Sequence, residues 1–146
     1  MARRKRLVLI DDSETEMEFV RRALEAIYPG AEFHAFRNGA DALAHLCDAP
    51  EVLRADVILL DLKLPGLDGH AILKALRERF APGDLPVVVF TSSREASDLA
   101  RAYAAGANSY VVKPLVYEHY GEVVGLVARY WLDANAAIER EGDEHD

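Results

Sequence analysis

Cysteine is almost absent. Cys47 is the single one in 146 residues, which excludes an intrachain disulfide and a cysteine-built metal centre; set in an apolar helical pattern, it is expected to be an inert packing residue. Long apolar runs are missing as well. Hydrophobic residues make up 51% of the chain, yet no run approaches the roughly 20 residues that span a bilayer. The basic start, Arg3-Arg4-Lys5-Arg6, is followed only by Leu7 to Ile10 before two aspartates, too short an apolar region for a secretory leader. A cytoplasmic protein is the expectation. Positive charge is in deficit: the net charge is −8, which argues against unassisted binding of nucleic acid. Repeats and low-complexity linkers are lacking, and the five histidines (His34, His45, His70, His119, His145) fall at no ligand spacing. They are expected at the surface or on a rim, and the basic cluster at 3–6 as a solvated lead-in.

What is present is a set of short apolar runs that each end in a polar residue. The central one is Val57 to Gly69, VILLDLKLPGLDG. Four apolar residues run unbroken into Asp61, and a run without polar alternation reads as a strand buried on both faces of a parallel sheet. Such a strand delivers Asp61 to the carboxyl edge, where open α/β sheets bind ligands.

The other segments fit around it. Arg6–Asp11 reads as a strand, and Ser13 as the N-cap of a helix reaching Tyr28, with Glu14 and Glu16 favoured in its first turn. Ala31–Phe36 reads as a second strand, Ala40–Leu46 as a helix, and Ala71–Phe80 as an amphipathic helix. Pro86–Thr91 (PVVVFT) is another continuous apolar strand. Ser92 or Ser93 would cap a helix over 95–105, Asn108–Val112 would be the fifth strand, and a last helix would run from 116 to 136. Five strands alternating with five helices through short connections predict a doubly wound parallel sheet, three layers deep in the order α/β/α. The spacing divides the chain into one domain over 1–137, with an extended last helix, and an acidic tail over 138–146. From Glu139 onward that tail sets five acids against one arginine, a composition expected to be disordered.

Parallel strands share one direction, so their last polar residues should meet on one rim: Asp11 and Asp12, Asp61, Thr91 and Lys113. Three converging carboxylates repel one another and demand either a raised pKa or a cation. Oxygen ligands alone favour a hard ion, and Mg²⁺ suits one or two carboxylates with waters and phosphate oxygens. Lys113 adds a mobile positive charge and Thr91 a hydroxyl able to donate to an oxyanion. The set suits a phosphoryl group carried on a carboxylate, Asp61 being the nucleophile.

The segments LVLIDDS, VILLDLKLPGLDG, VVVFTSS and GANSYVVKP together resemble the receiver domain of two-component response regulators, across roughly residues 6–136. The resemblance implies a flavodoxin-like sheet in the order 2-1-3-4-5. It implies Asp61 as phosphoacceptor from a sensor histidine kinase. Mg²⁺ would be bound by Asp12, Asp61 and the backbone carbonyl of Lys63, with Asp11 acting through water. It also implies Thr91 and Lys113 at the phosphoryl group, a cis Lys113–Pro114 bond, and Tyr110 as an aromatic switch turning inward with Thr91. Lys63 and Ser93 would flank the path of a hydrolytic water. The stretch AYAAGANSYVVKP with YWL in the last helix is similar to stand-alone regulators associated with phytochrome-type kinases, which implies a homodimer through helix 4, strand 5 and helix 5. The apolar stripe Val116, Tyr120, Val123, Val127, Tyr130 and Ala134, with Tyr117, Val124 and Trp131 beside it, is wider than one sheet face covers and suits an interface.

Other readings stay open: a phosphorelay intermediate that hands its phosphoryl group to a histidine phosphotransfer protein, or a Mg²⁺-dependent phosphohydrolase. The latter resembles enzymes with a second acid two residues after the nucleophile, where this chain has Lys63. A flavodoxin-type electron carrier fits poorly, because Asp11-Asp12 would repel a flavin phosphate.

Overall fold

The computed structural model describes residues 3–48 and 53–138. Five strands, β1 (Arg6–Ile10), β2 (Glu32–Phe36), β3 (Val57–Leu60), β4 (Val87–Thr91) and β5 (Ser109–Val112), form one sheet in the order β2-β1-β3-β4-β5. All neighbouring pairs are parallel. The implied strand order is therefore the observed one. Continuous apolar sequence goes with central position: β3 and β4 are buried at every residue and β1 at all but its first, while the edge strands β2 and β5 are half-buried throughout.

Side chains alternate across the sheet and feed two cores. Val8, Ile10, Ile58, Leu60, Val87 and Val89 point to one face. There they meet α2 (Gly39–Leu43, continued by a wider turn over Ala44–Asp48), α3 (Gly69–Arg79) and α4 (Ala96–Ala104). Leu7, Leu9, Val57, Leu59, Val88 and Phe90 point to the other face, where α1 (Glu14–Ile27) packs beside α5 (Tyr120–Ala128). A short 3₁₀ turn over Tyr117–His119 leads into α5 and wider turns over Arg129–Ala134 extend it. This is the expected α/β/α sandwich with strand and helix ends moved by one or two residues. The acidic segment 139–146 lies outside the described residues.

Local signals explain the starts. Ser13 caps α1 by accepting from the Glu16 amide, Asn38 caps α2 at Asp41, and Asp68 caps α3 at Ala71, each satisfying a first-turn N–H that lacks an intrahelical partner. Neither Ser92 nor Ser93 caps α4: Glu95 holds that position without a side-chain bond, and the Ser93 hydroxyl, two residues earlier, accepts from the Glu95 amide and donates to Asp98.

Four expectations are corrected. The stripe of the last helix is phased differently: Tyr120, Val124, Val127, Ala128 and Leu132 are buried, while Val116, Tyr130 and Ala134 face solvent. Small residues decide the phase, since a Cβ on Gly125 would sit 3.3 Å from Ile27 of α1, drawing that seam of α5 inward. The basic start is not a solvated lead-in. Arg3 pairs with Asp56, Arg6 with Glu32, and the Arg4 side chain donates to the Gly30 carbonyl, tying β1 to its neighbours. His70 is buried, at 7% exposure, because Asp98 of α4 receives it. The Lys113–Pro114 bond is trans, like every described peptide bond; X–Pro bonds prefer trans by a small margin unless context overrides it.

Candidate functional site

The rim forms where strand register predicts. Ile10 pairs with Leu60, Leu60 with Val89, and Thr91 with Val112. The ladder continues one residue beyond the strands: the Asp11 amide donates to Phe36, Asp61 to Ile10, and Lys113 to Thr91. Main-chain hydrogen bonds therefore fix Asp11, Asp61 and Lys113 from a rigid support, leaving only their side chains to adjust.

Asp11, Asp61, Thr91 and Lys113 are buried, while Asp12 is exposed and gives the cluster its open side. The Lys113 Nζ lies 2.7 Å from Asp11 Oδ2 and 3.1 Å from Asp61 Oδ2. One carboxylate oxygen from each of Asp11, Asp12 and Asp61 lies within 4.8 Å of the others. Among the described residues, Lys113 is the one cation in contact with this group, so negative charge is in excess. The shifts follow from that. Burial pushes the Asp11 carboxyl above its usual range despite the bonds from Lys113 and the Ser13 amide. Burial pulls the Lys113 ammonium down, but its hydrogen bond to Asp11 and the charges of Asp11, Asp61 and Glu16 carry it above the usual lysine value. Both residues hold their protons tightly, as expected of a cluster short of cations. An all-oxygen donor set with an ammonium among its carboxylates fits a hard divalent ion such as Mg²⁺.

Replacing Lys113 by Met leaves Asp11 buried without its cation and raises that carboxyl further. A carboxyl whose folded pKa exceeds the unfolded 3.8 binds its proton more tightly in the folded chain, so stability falls as pH rises from the unfolded value toward the folded one. In urea melts, the deficit of Lys113→Met against wild type is therefore expected to be larger at neutral pH than at acid pH.

Thr91 and Tyr110 are joined through one residue. The Ser93 amide donates to Thr91 Oγ1 at 3.4 Å, and the Tyr110 hydroxyl donates to the Ser93 carbonyl at 3.0 Å. The Tyr110 ring packs against the first core cluster, so it is docked inward in this structure. Lys63 is exposed, and its amide donates to Asp61 Oδ1 at 3.2 Å. The other side of the loop closes on the same strand end: the Gly69 amide donates to Leu62.

Sequence reasoning missed Glu16 and Tyr120. Glu16 Oε2 is 3.8 Å from Lys113 Nζ, and Glu16 Oε1 accepts the Tyr120 hydroxyl at 2.6 Å. Burial and this carboxylate push the Tyr120 phenol up. Glu16 lies four residues after Asp12, so one helical turn carries it back to the rim; that signal was readable. Tyr120 is 104 residues away from Glu16, and nothing local marks it.

With this geometry established, the comparisons are consistent. The family model for the response regulator receiver domain matches residues 7–124, and the chain belongs to that family. It is similar to the probable methanogenesis regulatory protein FilR2 of Methanothrix harundinacea, at 34% identity over 131 residues, covering 88% of this chain and 84% of the relative. It is also similar to the response regulator Rcp1 of Synechocystis, at 29% identity, covering 88% and 90%. Among solved structures, the phosphorylated cyanobacterial phytochrome response regulator RcpA superposes with a TM-score of 0.86 at 26% identity, covering 94% of this chain and 100% of that one. The Mn²⁺-bound form of Rcp1 gives 0.83 at 28% identity, covering 92% and 99%. No described helix is long and apolar enough to cross a membrane.

Proposed function

We propose that this chain is a phosphorylation-switched response regulator whose acceptor is Asp61. The observation that carries the reading is the meeting of Asp11, Asp12, Asp61 and Lys113 on one rim, with buried Thr91 at the end of the adjacent strand. A carboxylate oxygen of Asp61 attacks the phosphorus of a phosphohistidine on a sensor histidine kinase; the P–N bond breaks and the departing imidazole takes up a proton. Lys113 meets charge developing on the phosphoryl oxygens, and the Thr91 hydroxyl donates to one of them. Asp11, Asp12, Asp61 and the Lys63 carbonyl would hold Mg²⁺, which when bound neutralises the phosphoryl oxygens. Thr91 and Tyr110 then report occupancy of the site through the backbone of Ser93. The chain acts as a switch that catalyses only its own phosphorylation and dephosphorylation.

Incubation with Mg²⁺ and a small acyl phosphate is expected to label the protein once per chain. Removal of Mg²⁺ with a chelator is expected to suppress that label. Multiple turnover would indicate a hydrolase instead, and transfer of the label onward to a histidine phosphotransfer protein would indicate a relay intermediate.

Similarity to RcpA and Rcp1 supports a phytochrome-type kinase as partner and a homodimer through α4, β5 and α5. Leu99 and Tyr103 stand one turn apart on exposed α4, Leu115 is 87% exposed after β5, and Leu126 is 64% exposed on α5. Because β5 is the sheet edge, both helices flank one continuous side of the molecule, and exposed apolar residues gathered there suit a protein partner. Trp131 packs on the second core cluster, so an outward residue tests the interface better. Light scattering across a concentration series is expected to show a dimer for the phosphorylated wild type and a monomer for Leu126→Glu; a wild type monomeric in both phosphorylation states would refute this interface.

A further inference from the structure

His70 is a buried histidine that the proposed phosphoryl chemistry does not use. It stands second in α3, and only 7% of it is exposed. Its Nε2 is 3.3 Å from Asp98 Oδ1, across the gap between α3 and α4, and its Nδ1 is buried with no hydrogen-bond partner. Opposite a carboxylate, Nε2 carries a proton toward Asp98, and Nδ1 is left without a partner. A side chain that forgoes one hydrogen bond in a buried position is held there by what the other ring nitrogen does. Asp98 in turn accepts the Ser93 hydroxyl on Oδ2 at 2.6 Å. These two hydrogen bonds, the Ser93 one the stronger, hold the Asp98 carboxyl below the usual range.

Ser93 is therefore a junction. Its amide touches Thr91 Oγ1, its carbonyl takes the Tyr110 hydroxyl, and its own hydroxyl is bound to Asp98, which His70 anchors. The main chain of Ser93 meets both switch residues, while its side chain meets α4 and, through Asp98, α3.

We propose that Ser93, Asp98 and His70 form a latch that holds Tyr110 in its docked position and steadies Thr91, with His70 and Asp98 acting as positioning residues. The inference rests on Asp61 being the acceptor only for its effect on phosphoryl uptake; the docking of Tyr110 does not require it. The latch makes α3 part of the switch. Opening it frees the loop after β4, so the Thr91 hydroxyl must be re-ordered before it can meet a phosphoryl oxygen, and α4 is released on the exposed side of the molecule. His70→Leu removes the donor to Asp98 while keeping a buried apolar side chain of similar reach, and His70→Gln restores a donor.

The test uses the full chain with 3-fluorotyrosine placed at position 110 and read by ¹⁹F NMR without any phosphodonor. Wild type is expected to give one docked resonance. His70→Leu and Ser93→Ala should shift population to a second resonance by about tenfold, the equilibrium worth of a hydrogen bond to a charged group, and His70→Gln should return it toward wild type. Labelling by a small acyl phosphate should slow by a similar factor in His70→Leu and recover in His70→Gln. An unchanged resonance in both His70→Leu and Ser93→Ala, with labelling rates equal to wild type, would overturn the latch. If His70→Leu proves unfolded, Ser93→Ala and His70→Gln still decide it. Failure of wild type to take up any label would overturn the acceptor reading while leaving the NMR result to judge the latch.

Discussion

Asp61→Asn is expected to abolish phosphoryl uptake while leaving the chain folded. The amide matches the carboxylate in shape but offers no anionic oxygen to attack phosphorus, and losing a nucleophile lowers rates by something on the order of 10⁴ or more. The fold should tolerate the change, because the main-chain bond of Asp61 to Ile10 is untouched and the amide oxygen of an asparagine can still accept from the Lys63 amide or from Lys113. Lys113 keeps its 2.7 Å bond to Asp11, and one of the carboxylates crowding the rim is neutralised. The melting midpoint is therefore expected to stay within about 1 kcal/mol of wild type in free energy. Intact-mass spectrometry after incubation with an acyl phosphate, beside a thermal melt, reads both outcomes. A labelled Asp61→Asn protein would move the acceptor to Asp11 or Asp12.

The rim was legible because each of its residues ends an apolar run, and parallel pairing turns that linear feature into a shared edge. Val57 to Asp61 and Val87 to Thr91 needed no tertiary knowledge beyond the direction of the strands. The last helix was harder. Its sequence holds apolar residues on more than one face, and the phase follows Gly125, whose missing side chain lets Ile27 of α1 approach, with Ala128 fully buried on the same side of the helix; periodicity counts large apolar residues and overlooks small ones. His70, Asp98, Glu16 and Tyr120 were less legible still. A polar residue that is buried because a distant partner satisfies it looks, in sequence, like any surface residue. The arginines at 3, 4 and 6 failed for the same reason, since their partners Asp56, Gly30 and Glu32 lie on other strands or turns. The chemistry of the rim is thus written locally, whereas the couplings leading away from it are written in pairs far apart along the chain.

Gly69→Ala is expected to be the most damaging small substitution outside the rim itself. A Cβ at Gly69 would fall on the Asp61 carbonyl oxygen and lie 2.5 Å from the Leu62 Cα. Both neighbours are main chain, so no side-chain rotation relieves the clash; either the first turn of α3 backs away or the end of β3 moves. Backing away is resisted, because Ile72, Leu73 and Leu76 anchor α3 with no exposure in the first core and the Gly69 amide is bonded to Leu62. The cost is expected at the upper end of overpacking, about 3 kcal/mol, which lowers Tm by roughly 10 °C for a chain of this size. Displacement of Asp61 by about 1 Å should also slow phosphoryl uptake by about 10²-fold. Gly66→Ala is the matched control. Gly66 has a positive φ of 75° but nothing within 4 Å of its missing Cβ, so its penalty is backbone strain alone, about 1 kcal/mol. Gly66→Ala should therefore melt slightly early and label at nearly the wild-type rate, and equal labelling rates for the two variants would show that the packing of Gly69 does not position Asp61.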